Sequence, residues 1–259
     1  MTNLTKIPAT VVTGFLGSGK TTLLSNVLRQ ADGRRLAVIV NEFGELDIDA
    51  DLLRGCPLDC GADGAPPADG ADGVYELANG CICCTVEEEF LPVMRQLVAR
   101  RADIDHILIE TSGLALPKPL VQAFNWPDIR PHCTVDAVLT VVDGPAVAQG
   151  RFAHDPAQVE KLRAQDASLD HDPSLRELLE DQLNAADLVV VSKRDQVADA
   201  DMAAIRARLK GQLRAGVQII EVRHGEIAGE LIMGLGRAAE ERIEDPVSYT
   251  HLRAHETLR

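Results

Sequence analysis

Aromatic side chains are scarce: Trp, Tyr and Phe together make up 3% of the chain. A core without them must be assembled from Leu, Val, Ile and Ala. Apolar residues make up 46% of the 259 positions, enough for one sizeable core and hence one large domain, or one domain plus a short appendage. Basic residues are also in deficit, 26 Lys and Arg against 40 Asp and Glu, for a formal net charge of −14. A field of that sign opposes attachment to nucleic acid and to anionic membranes, so neither is an expected partner. It opposes a nucleotide triphosphate as well, but screening over about 8 Å leaves local backbone amides to decide phosphate binding. No apolar run approaches the ~20 residues that span a bilayer. The opening MTNLTKIPAT lacks a signal-peptide pattern, because the apolar run after it is a short strand entering a Gly loop. The expected location is the cytoplasm. There the six cysteines, at 56, 60, 81, 83, 84 and 133, are thiols or metal ligands rather than disulfides.

Short β-branched runs alternate with helical stretches. Strands are expected ending at Thr10–Thr13 and over Leu36–Val40, His106–Ile109, Val135–Val142, Leu188–Val191 and Val217–Val222. Helices are expected over Lys20–Gln30, Val86–Arg100 and Ala200–Leu213; the second carries Phe90, Val93, Met94, Leu97 and Val98 at helical spacing. This alternation predicts an α/β fold, a mostly parallel sheet covered on both faces, with ligands at the carboxyl ends of its strands. Two segments break the pattern. Gly55–Gly73, rich in Gly, Ala, Asp and Pro, reads as a mobile loop, and the polar, acidic Gly150–Asp172 as a helical insertion. The tail SYTHLRAHETLR from Ser248 matches nothing around it and reads as a non-native appendage.

Gly14-Phe-Leu-Gly17-Ser-Gly19-Lys20-Thr21 fits the phosphate-loop pattern G-x-x-x-x-G-K-[ST], after a strand and before a helix. The glycines let backbone N–H groups converge on a phosphate, and the helix start adds partial positive charge. Lys20 is placed to reach the β- and γ-phosphates, and Thr21 to offer its hydroxyl to Mg²⁺. The motif refines the expected fold to a three-layer P-loop NTPase domain over residues 1–245. Gly14, Gly17, Ser18, Gly19, Lys20, Thr21 and Thr22 are its nucleotide-binding residues.

Ser192-Lys193-Arg194-Asp195 follows another buried run and resembles the N-K-x-D loop that selects guanine. The Asp195 carboxylate can accept two hydrogen bonds from guanine, a pair adenine does not offer, and the Lys193 stem can stack on the base. Ser in place of Asn is expected to weaken one loop contact. His224-Gly225 is a candidate for closing the base pocket. Glu110 ends the run Ile107-Leu-Ile109, where an acid can hold Mg²⁺ through water or orient the attacking water, and Thr111-Ser112-Gly113 can set an N–H near the γ-phosphate. The plain alternative for Glu110 is a solvated strand-end acid. Asp143 ends a further run and receives no role from sequence.

Gly80-Cys81-Ile82-Cys83-Cys84 sets three thiols within four residues. Thiolates favour Zn²⁺, Cu⁺ or Co²⁺ over Mg²⁺, and coordination strips a proton that free Cys holds up to about pH 8.5. The alternative is three small buried hydrophobes. Cys56 and Cys60 read as spectators and Cys133 as core or surface. Glu42, in Asn41-Glu42-Phe43-Gly44-Glu45, is either a surface acid before a turn or a link between nucleotide and metal sites.

The stretches GFLGSGKTTLL, VNEFGE, ELANGCICCT, ILIETSGLALPKPLV and DQL-ADLVVVSK-D resemble the CobW family of P-loop GTPases, over nearly all of Ile7–Ile243. The run ETSGLALPKPLVQAFNWPDIR is similar to the members linked to cobalamin biosynthesis. The resemblance implies a GTP-hydrolysing metallochaperone with GTP and Mg²⁺ at the loop and a cargo ion, Co²⁺ or Zn²⁺, on Cys81, Cys83 and Cys84 with Glu42 nearby. It implies Lys20 and Glu110 as catalytic groups and the cobaltochelatase complex as acceptor of Co²⁺. It also implies a His-rich linker and a C-terminal domain that this chain lacks, with 246–259 outside the family pattern. A zinc chaperone of the same family, a small-molecule P-loop kinase and a passive metal buffer are the competing readings.

Overall fold

The computed structural model describes residues 5–31, 33–40, 74–76 (backbone alone), 90–153, 155, 157, 159 and 174–243. Seven strands form one sheet in the order β3-β2-β4-β1-β5-β6-β7, every neighbouring pair parallel. They are β1 Ile7–Thr13, β2 Leu36–Val40, β3 Val74–Glu76, β4 His106–Glu110, β5 Cys133–Asp143, β6 Leu188–Ser192 and β7 Gln218–Glu221. The uninterrupted apolar runs of β2, β4 and β6 are what a strand buried on both faces requires, and all three are buried throughout.

The described helices are α1 Lys20–Arg29, α2 Leu91–Ala99, α3 Pro117–Ala123, α4 Gly144–Ala148, α5 Leu175–Ala185, α6 Asp199–Lys210 and α7 Ala239–Arg242. One face of the sheet takes α1, whose Leu23, Leu24 and Val27 pack on Val12, Val38, Leu108 and Leu139. The other face takes α2 and α3, through Met94, Leu97, Leu120 and Val121 against Ala9, Val11 and Ile109. On that same face α5 and α6 set Leu178, Leu183, Met202 and Ile205 against Val189 and Val191. Alternate residues of β1 and β6 thus serve opposite layers, the period of a strand. Burying each of these side chains contributes roughly 1.5–3 kcal/mol. The result is the expected three-layer α/β architecture.

Several elements differ from the sequence expectation. The helix expected from Val86 begins, among described residues, at Leu91, with Pro92 in its first turn, where a missing N–H costs nothing. Helices α3 and α4 are too short to show a helical repeat; each opens on proline-containing sequence. Helix α5 starts at a complete capping box, Ser174 with Glu177, a signal readable as S-x-x-E. Strand β3 has only three residues. The Gly55–Gly73 loop and the tail from Ser248 lie outside the described residues, as does most of the Gly150–Asp172 insertion. Among the described residues no helix is long and apolar enough to cross a membrane.

At the amino ends of the central strands, three carboxylates fasten the returning segment 232–243 to the sheet. Asp136 accepts from the N–H groups of Gly234, Leu235 and Gly236 at 2.6, 3.0 and 2.6 Å. Glu240 accepts from Thr134 Oγ1 and from the Val135 N–H at 2.6 and 2.8 Å. Asp187 accepts from the Val138 N–H at 3.0 Å and pairs with Arg242 and Arg214. The opposite, carboxyl edge is left to the loops that build the site.

Candidate functional site

The loop between β1 and α1 has Gly14, Gly17 and Gly19 at φ +138°, +73° and +94°, values that side-chain-bearing residues rarely adopt. At Gly14 a Cβ would lie 2.2 Å from the Val141 carbonyl oxygen, so only glycine lets the loop pass over β5. Gly19 caps α1 without any side-chain acceptor, and no acidic residue occupies the first turn. The helix therefore presents its first N–H groups and dipole to an anion. Lys20 is buried and donates to the Phe15 carbonyl at 3.4 Å, a long contact.

Thr21 Oγ1 donates to Glu110 Oε1 at 2.8 Å. Glu110 is the last residue of β4, in register with Val12 of β1 and Val40 of β2, and is almost wholly buried. Among the described residues its Oε2 has no hydrogen-bond partner, and neither do the buried hydroxyls of Ser18 and Thr13. Burial raises the Glu110 pKa, against the pull of the Lys20 charge and the Thr21 hydrogen bond. A buried carboxylate oxygen left without a partner is costly, and it fits a hard cation that takes oxygen ligands. A Thr hydroxyl beside a carboxylate is a pair of hard oxygen donors of the kind that suits Mg²⁺. Beyond Glu110, the Thr111 N–H donates to Val12 at 3.0 Å, and a Cβ on Gly113 would lie 2.5 Å from the Leu16 nitrogen. The segment 111–113 thus rests directly on the phosphate loop.

The loop after β6 leans on the same place. Ser192 Oγ donates to the Ser18 carbonyl at 2.6 Å and, more weakly, to that of Val142 at 3.2 Å. The short Ser192 hydroxyl, expected to weaken one loop contact, reaches the phosphate loop because β6 ends close against it. Lys193 has left-handed backbone, φ +54°, and its Nζ donates to Gly17 O at 2.8 Å and to Asp143 Oδ2 at 2.6 Å. Asp195, partly exposed, follows in a 3-10 turn, 4.0 Å from His224 Nε2. His224 itself is tied down by its carbonyl, which accepts from Asn26 of α1 at 2.9 Å, while Gly225 packs on Thr22 and Leu23.

The structure thus brings Gly14, Gly17, Ser18, Gly19, Lys20, Thr21 and Thr22 together with Glu110, Lys193 and Asp195. Glu42, Cys81, Cys83 and Cys84 lie outside the described residues, as do Cys56 and Cys60. Among the described residues no group of three or more His, Cys, Asp or Glu is arranged to hold a metal ion. Cys133 is core: it is fully buried, and burial pushes its thiol pKa up to about 12, so it stays protonated. Asp143, without a role in the sequence reading, ends β5 inside the site, capping α4 through the Ala146 N–H at 2.8 Å. The signal for it was local: an acid closing an apolar run just before Gly144-Pro145.

The nucleotide-binding-domain model of the CobW/HypB/UreG group matches residues 8–221. The chain is 57% identical over 252 residues to a zinc chaperone CobW of Pseudomonas aeruginosa, spanning 97% of this chain and 66% of that protein. It is 49% identical over 254 residues to a zinc chaperone CobW of Sinorhizobium sp, spanning 98% of this chain and 69% of that protein. The crystal structure of Zn(II)-bound YjiA GTPase from Escherichia coli shares the fold at a TM-score of 0.54 and 24% identity, over 91% of this chain and 62% of that one.

Proposed function

We infer that, because the chain belongs to the CobW/HypB/UreG family of nucleotide-binding proteins, its site binds and hydrolyses GTP in order to control the grip on a transition-metal ion. The observation that carries the nucleotide half is the Thr21–Glu110 pair beside an uncapped helix start, with one carboxylate oxygen buried and unpartnered. The guanine preference is supported by Asp195 two residues beyond the Lys193 tie to Gly17.

Bound Mg²⁺ would neutralise charge shared between the β- and γ-phosphates. The chain does the rest. N–H groups of the Gly14–Thr21 loop hold the phosphates, and Lys20, released from the Phe15 carbonyl, offsets γ-phosphate charge. Thr21 and Glu110 hold the cation, with Glu110 also in reach of the role of orienting the attacking water. The 111–113 segment, resting on Leu16, registers whether the γ-phosphate is present. In this reading the γ-phosphate also strengthens metal binding by the Cys81, Cys83 and Cys84 thiolates with Glu42, and hydrolysis weakens it.

The cargo is the finer part of the proposal. Zn²⁺ is supported by the names of the relatives and by thiolate chemistry, in which Zn²⁺ outranks Co²⁺ at most sites. Delivery of Co²⁺ to a cobaltochelatase rests on the resemblance of Glu110–Arg130 to cobalamin-linked members. The chain spans 66% and 69% of the length of the two bacterial relatives, and the acceptor belongs to the proposal alone.

The deciding experiment is metal affinity at buffered free Zn²⁺ and free Co²⁺, with Mg²⁺ and GTP, with GDP, or with no nucleotide. Tighter binding with GTP is expected, and by linkage the metal must raise GTP affinity by the same factor. Lys20→Ala should abolish the difference. Equal affinity in all three states would leave a nucleotide hydrolase without a chaperone function. The ion that gains more from GTP is the cargo.

A further inference from the structure

Three loops of the site converge on one side chain that nothing above requires for phosphate or metal binding. The Asp143 side chain is 1% exposed. Its Oδ1 accepts from the Ala146 N–H at 2.8 Å, and its Oδ2 from Lys193 Nζ at 2.6 Å. The same ammonium donates to Gly17 O at 2.8 Å. Asp143 and Ser192 are in register on β5 and β6, and a Cβ on Gly144 would meet Ser192 O at 2.7 Å, so the two strand ends abut. The carboxylate and the ammonium meet at 2.6 Å, and each fixes the position of the other.

The four-carbon stem of Lys193 is therefore strung between the base loop and the phosphate loop, its far end anchored by Asp143 and Gly17. Its near end is the left-handed residue that turns the chain toward Asp195, two positions on. We propose that Asp143 is a positioning residue for guanine selection: it holds the Lys193 stem as a shelf under the base and keeps the Asp195 carboxylate in register with the phosphate loop. This rests on the guanine reading given above. Asp143 touches neither base nor phosphate in this scheme; it acts through Lys193.

Asp143→Asn separates this role from a merely structural one. Asn caps a helix as well as Asp does, so the start of α4 is preserved while the charge facing Lys193 is lost. GDP and ADP affinities and the melting temperature are measured on the whole chain with Mg²⁺. The preference for GDP over ADP is expected to fall about tenfold, the scale of one charge-assisted hydrogen bond, with GDP affinity falling further than ADP affinity. A preference equal to the parent's, or a lowered melting temperature with no change of preference, overturns the proposal. Lys193→Met, alone and combined with Asp143→Asn, closes a double-mutant cycle. The pair should cost little more than either change alone, and additive losses would overturn the proposal. A parent protein with no preference for GDP would instead sink the guanine reading itself.

Discussion

Thr21 and Glu110, 89 positions apart in the chain, meet at 2.8 Å because β1 and β4 are neighbours that end at the same edge of the sheet. The hydroxyl satisfies one carboxylate oxygen and leaves the other buried without a partner among the described residues. In the proposed mechanism this pair is where phosphate chemistry and cation binding are joined.

Replacing Glu110 by Gln should lower GTP hydrolysis by roughly 10²–10³-fold, the usual loss for one well-placed polar group in a closed site, and weaken GDP binding only when Mg²⁺ is present. Single-turnover rates and GDP titration on one preparation make the comparison. Burial raises the Glu110 pKa, so without Mg²⁺ and nucleotide the folded chain holds this proton more tightly than the unfolded chain. Stability from this group therefore falls as pH rises through and beyond the ordinary carboxylate range. The Gln variant should lose that decline in a series of melting curves.

Gly113→Ala should uncouple the 111–113 segment from the phosphate loop. The added Cβ would sit 2.5 Å from the backbone nitrogen of Leu16, which cannot rotate away as a side-chain tip can. A loss of about 1–3 kcal/mol in stability and a slower hydrolytic step are expected. Gly211→Ala is the control, since its nearest neighbours stand at 3.5 and 3.8 Å. Its melting temperature and rate should match the parent's.

His106 makes the fold acid-sensitive. Its Nε2 lies 2.8 Å from Thr10 Oγ1, whose own proton goes to Ile232 O. Burial, reinforced by Arg34 and opposed by Asp136, lowers its pKa from 6.5 to about 4. The unfolded chain thus takes up a proton between these values that the folded chain refuses, and stability falls as pH drops from 6.5 toward 4. The full effect of such a shift is about 3 kcal/mol. His106→Gln should flatten the pH dependence of urea midpoints across that window, leaving the slope at higher pH as before.

Asp187→Ala should destabilise the protein without touching its site. It removes the acceptor of the Val138 N–H and leaves Arg242 and Arg214 without their shared carboxylate. Arg214 and Arg242 are 36% and 30% exposed and can turn to water, so the cost is that of the unsatisfied buried N–H and the lost contacts, about 1–3 kcal/mol. Asp187 precedes β6, at the edge of the sheet opposite the phosphate loop, so GDP affinity measured on the folded fraction should be unchanged.

Contiguity decided what could be read in advance. Gly14–Thr21 is one continuous motif whose function lies in its own backbone, and the strands announce themselves as apolar runs long enough to be buried on both faces. Short helices such as Gly144–Ala148 carry no repeat to read, and the capping box at Ser174 was legible but lies in a polar context. Glu42 and the thiols at Cys81, Cys83 and Cys84 rest on sequence chemistry alone.

The amino-acid order by itself determined the alternating α/β pattern, the phosphate loop and the residue types gathered at strand ends, because each depends on neighbours a few positions away. The tertiary structure alone decided that Ser192 still reaches the phosphate loop, that Glu110 keeps one oxygen unpartnered among the described residues, and that Asp143 holds Lys193 from 50 positions away. Those relationships depend on which strands lie side by side and where each one ends. Parallel pairing sets that through contacts between segments far apart in the chain, which no local pattern encodes.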